Sequence, residues 1–357
     1  MKRRVTAVVA AALAVALVLP LAAGCSFFGR SAGAKGSQNP GPDPGSNTAP
    51  SDTPAQPPPP PPPKSPISGL EYKPENAGPL VAVMVENHPD ARPQSGLVDA
   101  DLVYEALAEG GISRFMALYF GRTPSVIGPV RSARPYYVVL AKEWDAIYVH
   151  CGGDPKDREP IKQLDLADVD EIYTAGEAFW RSKDRVAPHN LYTTVAMDRA
   201  HVAKFEPERK LAATPPSRWE FAGWAETPLS EIRVDYGWGY VVSYKYDASD
   251  KAYRRYMNGD AHTDKETGKQ IEAANILIQY VPQRVAYPDG GLVMDQVGTG
   301  QGLYVAGGRL IKGTWAKAGL NSTTQFLDGD GKAISLVAGQ TWVQIVPTTA
   351  KVTYSGQ

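Results

Sequence analysis

The sequence predicts an α+β protein, with an N-terminal mixed α/β sheet domain followed by a β-rich C-terminal domain. Between residues 67 and 215, short apolar runs alternate with helix signals, which is typical of a mixed sheet. From residue 216 to 357, short strand-like runs are separated by Gly-containing turns. Before residue 67 neither pattern is present, and the predicted divisions there are 1–24 and 25–66.

Residues 1–24 have the features of a lipoprotein signal peptide. Basic residues precede an apolar run, and the run ends in LAAGC, whose last residue is Cys25. This spacing resembles the bacterial lipobox, in which the cysteine receives a diacylglycerol group and further acyl chains such as palmitate. We expect an extracytoplasmic protein anchored by lipid to the bacterial cell membrane. A transmembrane anchor over residues 5–23 is the alternative, but the run has about the minimum length and lacks a basic flank.

Residues 25–66 form a predicted Pro-rich, disordered linker that begins with the lipidated cysteine. The segment is rich in Pro, Gly, Ser and Asn, and residues 57–63 are an unbroken proline run. Such a composition lacks the apolar surface that would offset the entropy of ordering. We expect a semi-rigid spacer in polyproline II geometry. A ligand for a proline-binding module is the alternative.

In the N-terminal domain, apolar runs predict strands and caps predict helices. Gly110-Gly111 between two runs predicts a hairpin, and Ser132 is the predicted cap of a helix that continues to Trp144. Asp154-Pro155 predicts a second helix start. The expected strands are 80–85, 101–107, 112–120, 146–150 and 172–173, and a third helix is expected at 196–204.

Pro215-Pro216 marks the predicted boundary of the C-terminal domain. The short strands that follow it, with turns between them, predict a small barrel or a sandwich. The expected strands are 241–246, 252–257, 276–281, 302–306, 309–315, 324–327 and 341–346.

Composition excludes several classes of function. The 37 basic and 38 acidic residues give a net charge of −1, which argues against a nucleic-acid-binding protein. With Cys25 lipidated, Cys151 has no partner for an internal disulfide. The five histidines show neither Cys-x-x-Cys nor His-x-x-x-His spacing, so we predict no metal site of the usual zinc type and no cofactor.

A cluster of arginines and glutamates has the most chemical content. Arg131 and Arg134 flank the expected helix start, where guanidinium groups and backbone N–H groups would together favour a carboxylate or phosphate. The alternative is that these arginines pair internally with Glu86, Glu105 or Glu109. The candidate ligand-binding residues are Glu86, Arg92, Arg114, Arg131, Ser132 and Arg134.

Glu105 and Glu109 also permit a glycosidase interpretation, in which two carboxyl groups act as acid and base. Four residues along a strand span about 13 Å, which is too far for such a pair unless the chain bends at Gly110. Neighbouring arginines would also lower a carboxyl pKa, whereas a general acid needs a raised one.

Three further motifs have simpler structural explanations. Cys151 with His189 could form a thiol nucleophile and base, but a small buried cysteine at a strand end is the commoner case. The run DGDG at 328–331 lacks the later ligands of a calcium loop and fits a hairpin turn. The run GWGY at 237–240 could stack on sugars, although aromatic residues of β domains more often lie in the core or at its rim.

The strings MVENHPDARPQSGLVDADLVYEALAEGGISRFMALYF, GPVRSARPYYVVLA and TWVQIVP resemble the YerB-like bacterial lipoproteins. The resemblance covers nearly all of residues 67–357 and implies two successive domains of unknown function on a lipid-anchored protein. It implies no catalytic residue. We therefore expect a non-catalytic protein whose partners are membrane lipid, through Cys25, and a cell-wall polymer or envelope protein. The alternatives are an envelope hydrolase using Glu105 or Glu109, and a scaffold acting through protein contacts of the β domain.

Overall fold

The computed structural model describes residues 61–356, so the predicted signal peptide, the lipidation site at Cys25 and the linker as far as residue 60 lie outside the described residues. The α-helices of the described part are α1 (Pro135–Glu143), α2 (Pro155–Gln163) and α3 (Val195–Phe205). Its short 3-10 helices are Pro74–Asn76, Pro89–Ala91, Leu97–Asp99, Glu109–Gly111 and Gly176–Ala178. The strands are β1 (Val81–Glu86), β2 (Leu102–Leu107), β3 (Ser113–Tyr119), β4 (Ile147–His150), β5 (Asp168–Asp170), β6 (Trp180–Arg181), β7 (Leu191–Tyr192), β8 (Glu231–Asp235), β9 (Val241–Asp247), β10 (Ala252–Met257), β11 (Asp260–Ala261), β12 (Glu272–Ala273), β13 (Asn275–Val281), β14 (Gln283–Val285), β15 (Leu292–Met294), β16 (Gly298–Ala306), β17 (Arg309–Lys317), β18 (Gln325–Leu327), β19 (Thr341–Pro347) and β20 (Lys351–Ser355).

One ten-stranded sheet contains strands from both halves of the chain. Its order is β18-β17-β16-β13-β19-β2-β3-β1-β4-β5, so β19 from the C-terminal half lies against β2 from the N-terminal half. The strands β13, β19, β2, β1, β4 and β5 all run in the same direction, because β3 is antiparallel to both of its neighbours. Their carboxyl ends therefore meet along one edge of the sheet.

The large sheet is buried on both faces. In β1, Val83 and Val85 belong to one hydrophobic cluster and Ala82 and Met84 to the other, which explains why its sequence is continuously apolar rather than alternating. The first cluster includes side chains of a second sheet, ordered β11-β10-β9-β8-β20. The second cluster includes the aromatic and aliphatic residues of α1.

The predicted fold class is confirmed: the N-terminal part is a mixed sheet with few helices, and the C-terminal part is rich in strands. The hairpin at Gly110-Gly111 is present, since β2 and β3 pair antiparallel on either side of it. The C-terminal strands do not all belong to one sheet. Five of them extend the large sheet, β14 and β15 pair with each other, and the rest form the second sheet, whose buried side chains share a hydrophobic cluster with the large sheet.

Two local predictions were wrong. Ser132 does not cap α1, because Pro135 occupies the first helical position and holds the preceding Arg134 in an extended conformation. Residues 172–173 are not a strand, because the carboxylate of Asp170 accepts the backbone N–H of Ile172 and turns the chain there. The strand in this region is β5, which ends at Asp170.

The folded part already includes the last residues of the predicted linker. The backbones of Lys64 and Glu71 form an isolated antiparallel β-bridge, and the Ser65 hydroxyl donates a hydrogen bond to the Asp101 carboxylate at 2.8 Å. The domain boundary at residues 215 and 216 stays a prediction, and it lies between α3 and β8 in a segment without a regular strand or helix. Among residues 61–356, no helix is both long and apolar enough to span a bilayer.

Candidate functional site

The arginine and glutamate cluster lies at the carboxyl edge, by which we mean the chain segments that follow β1, β2, β4 and β5. Residues 129–133 run along this edge, since Pro129 accepts a hydrogen bond from the backbone of Glu86 and Arg131 accepts one from Cys151. In open sheets with parallel strands, ligands bind in the crevice outside the carboxyl ends. The fold therefore places the predicted residues where a ligand site of this architecture is expected.

Arg131 contacts the carboxylate of Glu86. Its Nε lies 3.1 Å from Glu86 Oε1, and the glutamate side chain is almost fully buried whereas the arginine side chain is 28% exposed. Among the described residues, the two terminal nitrogens of this guanidinium have no hydrogen-bond partner. Arg131 is thus held through Nε, and its two terminal nitrogens can donate hydrogen bonds to a ligand.

Arg134 and Arg114 are engaged by carboxylates and by backbone. Arg134 makes two hydrogen bonds to Glu109, at 2.5 and 2.7 Å, and one to Asp157 at 3.1 Å. Arg114 lies 3.4 Å from Glu109 and donates to the backbone oxygen of Ser132 at 3.0 Å. For these two arginines the geometry favours the alternative weighed above, internal ion pairs. Ser132 contributes a carbonyl group here and not a helix cap.

Arg92 has no carboxylate partner among the described residues. Its Nε donates to the Asn87 side chain at 3.0 Å and one terminal nitrogen donates to the Asn87 backbone at 2.8 Å. The guanidinium also lies 5.9 Å from the centre of the Tyr240 ring. Arg92 and Arg131 therefore bind adjacent residues, Asn87 and Glu86, and both retain unused donors beside the segment that follows β1.

Glu105 differs from Arg92 and Arg131 because it lies inside the molecule, away from solvent. Its side chain is fully buried and faces the second sheet, where it forms an ion pair with Arg255 at 2.6 Å. Ser113 and Tyr240 donate to the other carboxylate oxygen at 2.7 and 2.6 Å. The glutamate thus joins the two sheets and has no access to solvent.

The Arg255 ion pair continues into a buried polar network. One Arg255 nitrogen donates to Nδ1 of His262, so the proton of this imidazole lies on Nε2, which donates to Gln94 Oε1 at 2.9 Å. Burial and the charge of Arg255 hold the pKa of His262 well below its usual range. A neutral imidazole at this point satisfies both neighbours without a second buried positive charge.

Glu109 does not have the environment of a general acid. Burial alone would raise its pKa, but the hydrogen bonds from Arg134 and the charge of Arg114 outweigh it, and the pKa lies below its usual range. The glycosidase interpretation therefore pairs a carboxylate stabilised in its ionised form, Glu109, with a carboxylate sequestered in an ion pair, Glu105.

A cluster that the sequence analysis missed follows directly after β1. His88 and His189 stack with ring centroids 4.7 Å apart, and Asp90 lies beside both rings. The exposed carboxylate and one nitrogen of each imidazole lie within 4.8 Å of one another, a grouping able to hold a metal ion. The only sequence signal is His-x-Asp at 88–90, because His189 is brought in from 99 residues away by the contact between Val130 and Leu191.

Cys151 and His189 do not pair with each other. The thiol donates to Glu171 at 3.2 Å, whereas His189 contacts Glu86 at 3.0 Å. Burial and the hydrogen bond to Glu171 raise the pKa of Cys151 to about 12, which keeps the thiol protonated near neutral pH. This environment is that of an inert cysteine.

The two remaining motifs are both turns. At 328–331 the Asp328 carboxylate accepts backbone N–H groups of its own hairpin turn, as the sequence analysis predicted. In the turn between β8 and β9, Trp238 is 81% exposed and lines a cavity of about 610 Å³, whereas Tyr240 is buried against Glu105. Sugar stacking at Trp238 stays a prediction.

Comparison with known proteins identifies the family of the chain. Residues 67–208 match the model described as "Protein of unknown function (DUF3048) N-terminal domain", and residues 232–343 match the corresponding C-terminal domain. A protein of Bacillus subtilis strain 168 described as "Putative lipoprotein YerB" is 37% identical over 298 residues, which are 80% of this chain and 86% of that protein. The crystal structure of YerB protein from Bacillus subtilis superimposes with a TM-score of 0.73 at 35% identity, covering 81% of this chain and 99% of that one. The chain therefore belongs to this two-domain family of unknown function and is related to YerB along most of its length.

Proposed function

We propose that this protein is a lipid-anchored, extracytoplasmic binding protein that takes an anionic group of a cell-envelope component at the carboxyl edge. The lipobox ending at Cys25 and the description of the Bacillus relative as a lipoprotein support the anchor. The thioether-linked chains would hold the protein at the membrane through burial of their methylene groups, at about 0.8 kcal/mol each.

The observation that carries the proposal is the unused donor capacity of two guanidinium groups. Arg131 is anchored through Nε by Glu86, and Arg92 is anchored by Asn87. Because both side chains are already ordered, ligand binding does not have to immobilise them. A guanidinium fork binds carboxylate or phosphate oxygens through charge-assisted hydrogen bonds. Cell-wall polymers carry both groups, so the protein is suited to hold such a polymer without changing it.

Hydrolysis is not supported by the same geometry. Glu105 is fully buried in its ion pair with Arg255, and Glu109 is held ionised by Arg134 and Arg114. A retaining or inverting mechanism needs one of two accessible carboxyl groups in its protonated form. Incubation of the protein with peptidoglycan at several pH values, with and without divalent metals, is expected to release no soluble fragments.

The binding proposal is tested with the full chain purified in detergent and purified cell-wall fragments as the probe. Arg92→Gln and Arg131→Gln each remove a charged fork that is partly exposed, and each should weaken sedimentation with the fragments about tenfold, or about 1.4 kcal/mol. Arg131→Lys keeps the charge but loses the fork, so it should bind less well than the wild type.

Arg309→Gln is the matched control. It removes the same charge from an exposed arginine at the start of β17, whose side chain donates to the Gly223 carbonyl at 2.8 Å and pairs with no carboxylate in the described part of the chain. Equal binding by Arg131→Gln, Arg309→Gln and the wild type would contradict the proposal. Crosslinking to an envelope protein that depends on the C-terminal strands and not on Arg92 or Arg131 would instead favour the scaffold alternative.

A further inference from the structure

We propose that His88, Asp90 and His189 form a binding site for a divalent transition-metal ion of the zinc type, with Glu86 as the residue that orients His189. The metal-site proposal does not rest on the anion binding proposed above, although Glu86 contacts both His189 and Arg131. Two features of the structure support the site: the close grouping of the three side chains, and a hydrogen bond that selects the tautomer of His189.

The hydrogen bond from His189 to Glu86 selects the histidine tautomer. A carboxylate can only accept, so Nδ1 of His189, 3.0 Å from Glu86 Oε2, carries the proton. Nε2 is left with its lone pair, and this atom lies 4.0 Å from Oδ2 of Asp90. A buried carboxylate that holds one nitrogen of a histidine while the other faces a ligand position is the usual outer arrangement of metal-binding imidazoles.

One of the three side chains is fixed and the other two are exposed enough to move toward a metal ion. His189 is largely buried and held by Glu86, whereas the side chains of His88 and Asp90 are 35% and 72% exposed. The candidate ligand atoms lie within 4.8 Å of one another. Ligands at about 2.0–2.2 Å from one ion lie closer together than this, so His88 and Asp90 must move inward by roughly an ångström. Their exposure permits that movement.

Nδ1 of His88 accepts the backbone N–H of Asp90 at 3.2 Å, a hydrogen bond that a metal ion on that nitrogen would replace, but ion pairing does not hold the three side chains together. The Asp90 carboxylate lies 3.5 Å from Nδ1 of His88 and 4.0 Å from Nε2 of His189, and neither contact is a hydrogen bond by distance. Two imidazoles and one carboxylate are ligands that Zn²⁺, Co²⁺ and Ni²⁺ accept, and three protein ligands leave a coordination position open.

The site is tested by titrating the full chain, purified in detergent without a histidine tag and stripped with a chelator. Calorimetry with Zn²⁺ and visible absorption with Co²⁺ should both report one site per chain. His88→Gln, Asp90→Asn and His189→Gln should each weaken binding at least tenfold, and Glu86→Gln should weaken it about tenfold through the loss of the orienting hydrogen bond.

His201→Gln is the matched control, because His201 also pairs with a glutamate, Glu177, at 3.0 Å, but within residues 61–356 it belongs to no group of three candidate metal ligands. It should bind metal as the wild type does. Asp90 is exposed, so Asp90→Asn keeps the test valid if His189→Gln unfolds. Wild-type affinity in Asp90→Asn and His88→Gln would overturn the site, and so would the absence of a stoichiometric site in the wild type. Arg131→Gln should retain metal binding, which separates this result from the anion-binding test.

Discussion

Glu105 and Glu109 are four residues apart, and the fold uses them in opposite ways. Glu105 lies within β2 and faces the second sheet, where Arg255 neutralises it in the absence of solvent. Glu109 follows the end of β2 and lies at the carboxyl edge, one-quarter exposed, where it pairs with Arg134. The carboxyl end of β2 therefore separates a buried structural ion pair from a cluster of ion pairs at the protein surface.

The two regions also differ in what they connect. The Glu105 network joins residues from both halves of the chain through Arg255, His262 and Gln94. The carboxyl-edge pairs join neighbouring segments of the N-terminal half, such as the turn at Glu109 to α2 at Asp157 through Arg134. Substitutions in the buried network should therefore affect the stability of the whole fold, and substitutions at the edge should act locally.

The largest effect is expected from breaking the buried pair. Arg255→Met leaves the Glu105 carboxylate without its counter-charge in a site closed to water, which should lower the free energy of unfolding by about 3–5 kcal/mol. Denaturant unfolding followed by tryptophan fluorescence measures this loss. Glu105→Gln combined with Arg255→Met should cost less than the sum of the two single changes, since the second change removes the unpaired partner.

Arg254→Met is the control for that prediction. Arg254 is the neighbour of Arg255 in β10, but it pairs with Asp247 and Asp250 on the outer face of the second sheet. Its substitution should destabilise the protein far less. A similar decrease in the free energy of unfolding for Arg254→Met and Arg255→Met would contradict the prediction that the buried ion pair contributes more than the exposed one.

A smaller, pH-dependent effect is expected at the edge. The pKa of Glu109 is lowered in the folded protein, so its ion pair adds stability above the ordinary carboxyl pKa, and this stability is lost as pH falls through the lowered pKa. Glu109→Gln should cost about 1 kcal/mol at pH 7. The difference from the wild type should shrink between pH 5 and pH 3 in denaturant unfolding. A difference that does not change with pH would contradict the assignment.

Much of the fold could be predicted from local patterns. A continuous apolar run marked the strand Val81–Glu86 and a mostly apolar run marked Thr341–Pro347, because strands buried on both faces need no polar side. The position of the last of these strands between β13 and β2 could not be predicted. Sheet order depends on contacts between segments more than 200 residues apart, which leave no local pattern.

The candidate site was predictable in residue type but not in pairing. The run from Glu86 to Arg134 indicated ion pairs, and three of its arginines do contact glutamates. The partner of Glu105 is Arg255, 150 residues away, and nothing near either residue indicates this. The grouping of His88, Asp90 and His189 leaves no motif in the sequence for the same reason, since His189 comes from a loop far along the chain from the other two residues.

The smallest effect is expected at Cys151, which lies at the carboxyl edge between the two kinds of environment. Its thiol is half-buried and donates to Glu171, and a serine hydroxyl can make the same hydrogen bond. Cys151→Ser should therefore change the free energy of unfolding by no more than about 0.5 kcal/mol.

The raised pKa of Cys151, about 12, allows a chemical test beside the measurement of the free energy of unfolding. Because only the thiolate reacts, alkylation by iodoacetamide at pH 8 should be at least about a hundredfold slower in the folded protein than after denaturation. The measurement uses a Cys25→Ser chain, so that Cys151 is its one thiol. Glu171→Gln removes the acceptor charge and should speed the reaction, whereas Glu109→Gln should not. Rapid alkylation of the folded Cys25→Ser chain would show that the edge near β4 is open to water and would move Cys151 into the candidate site.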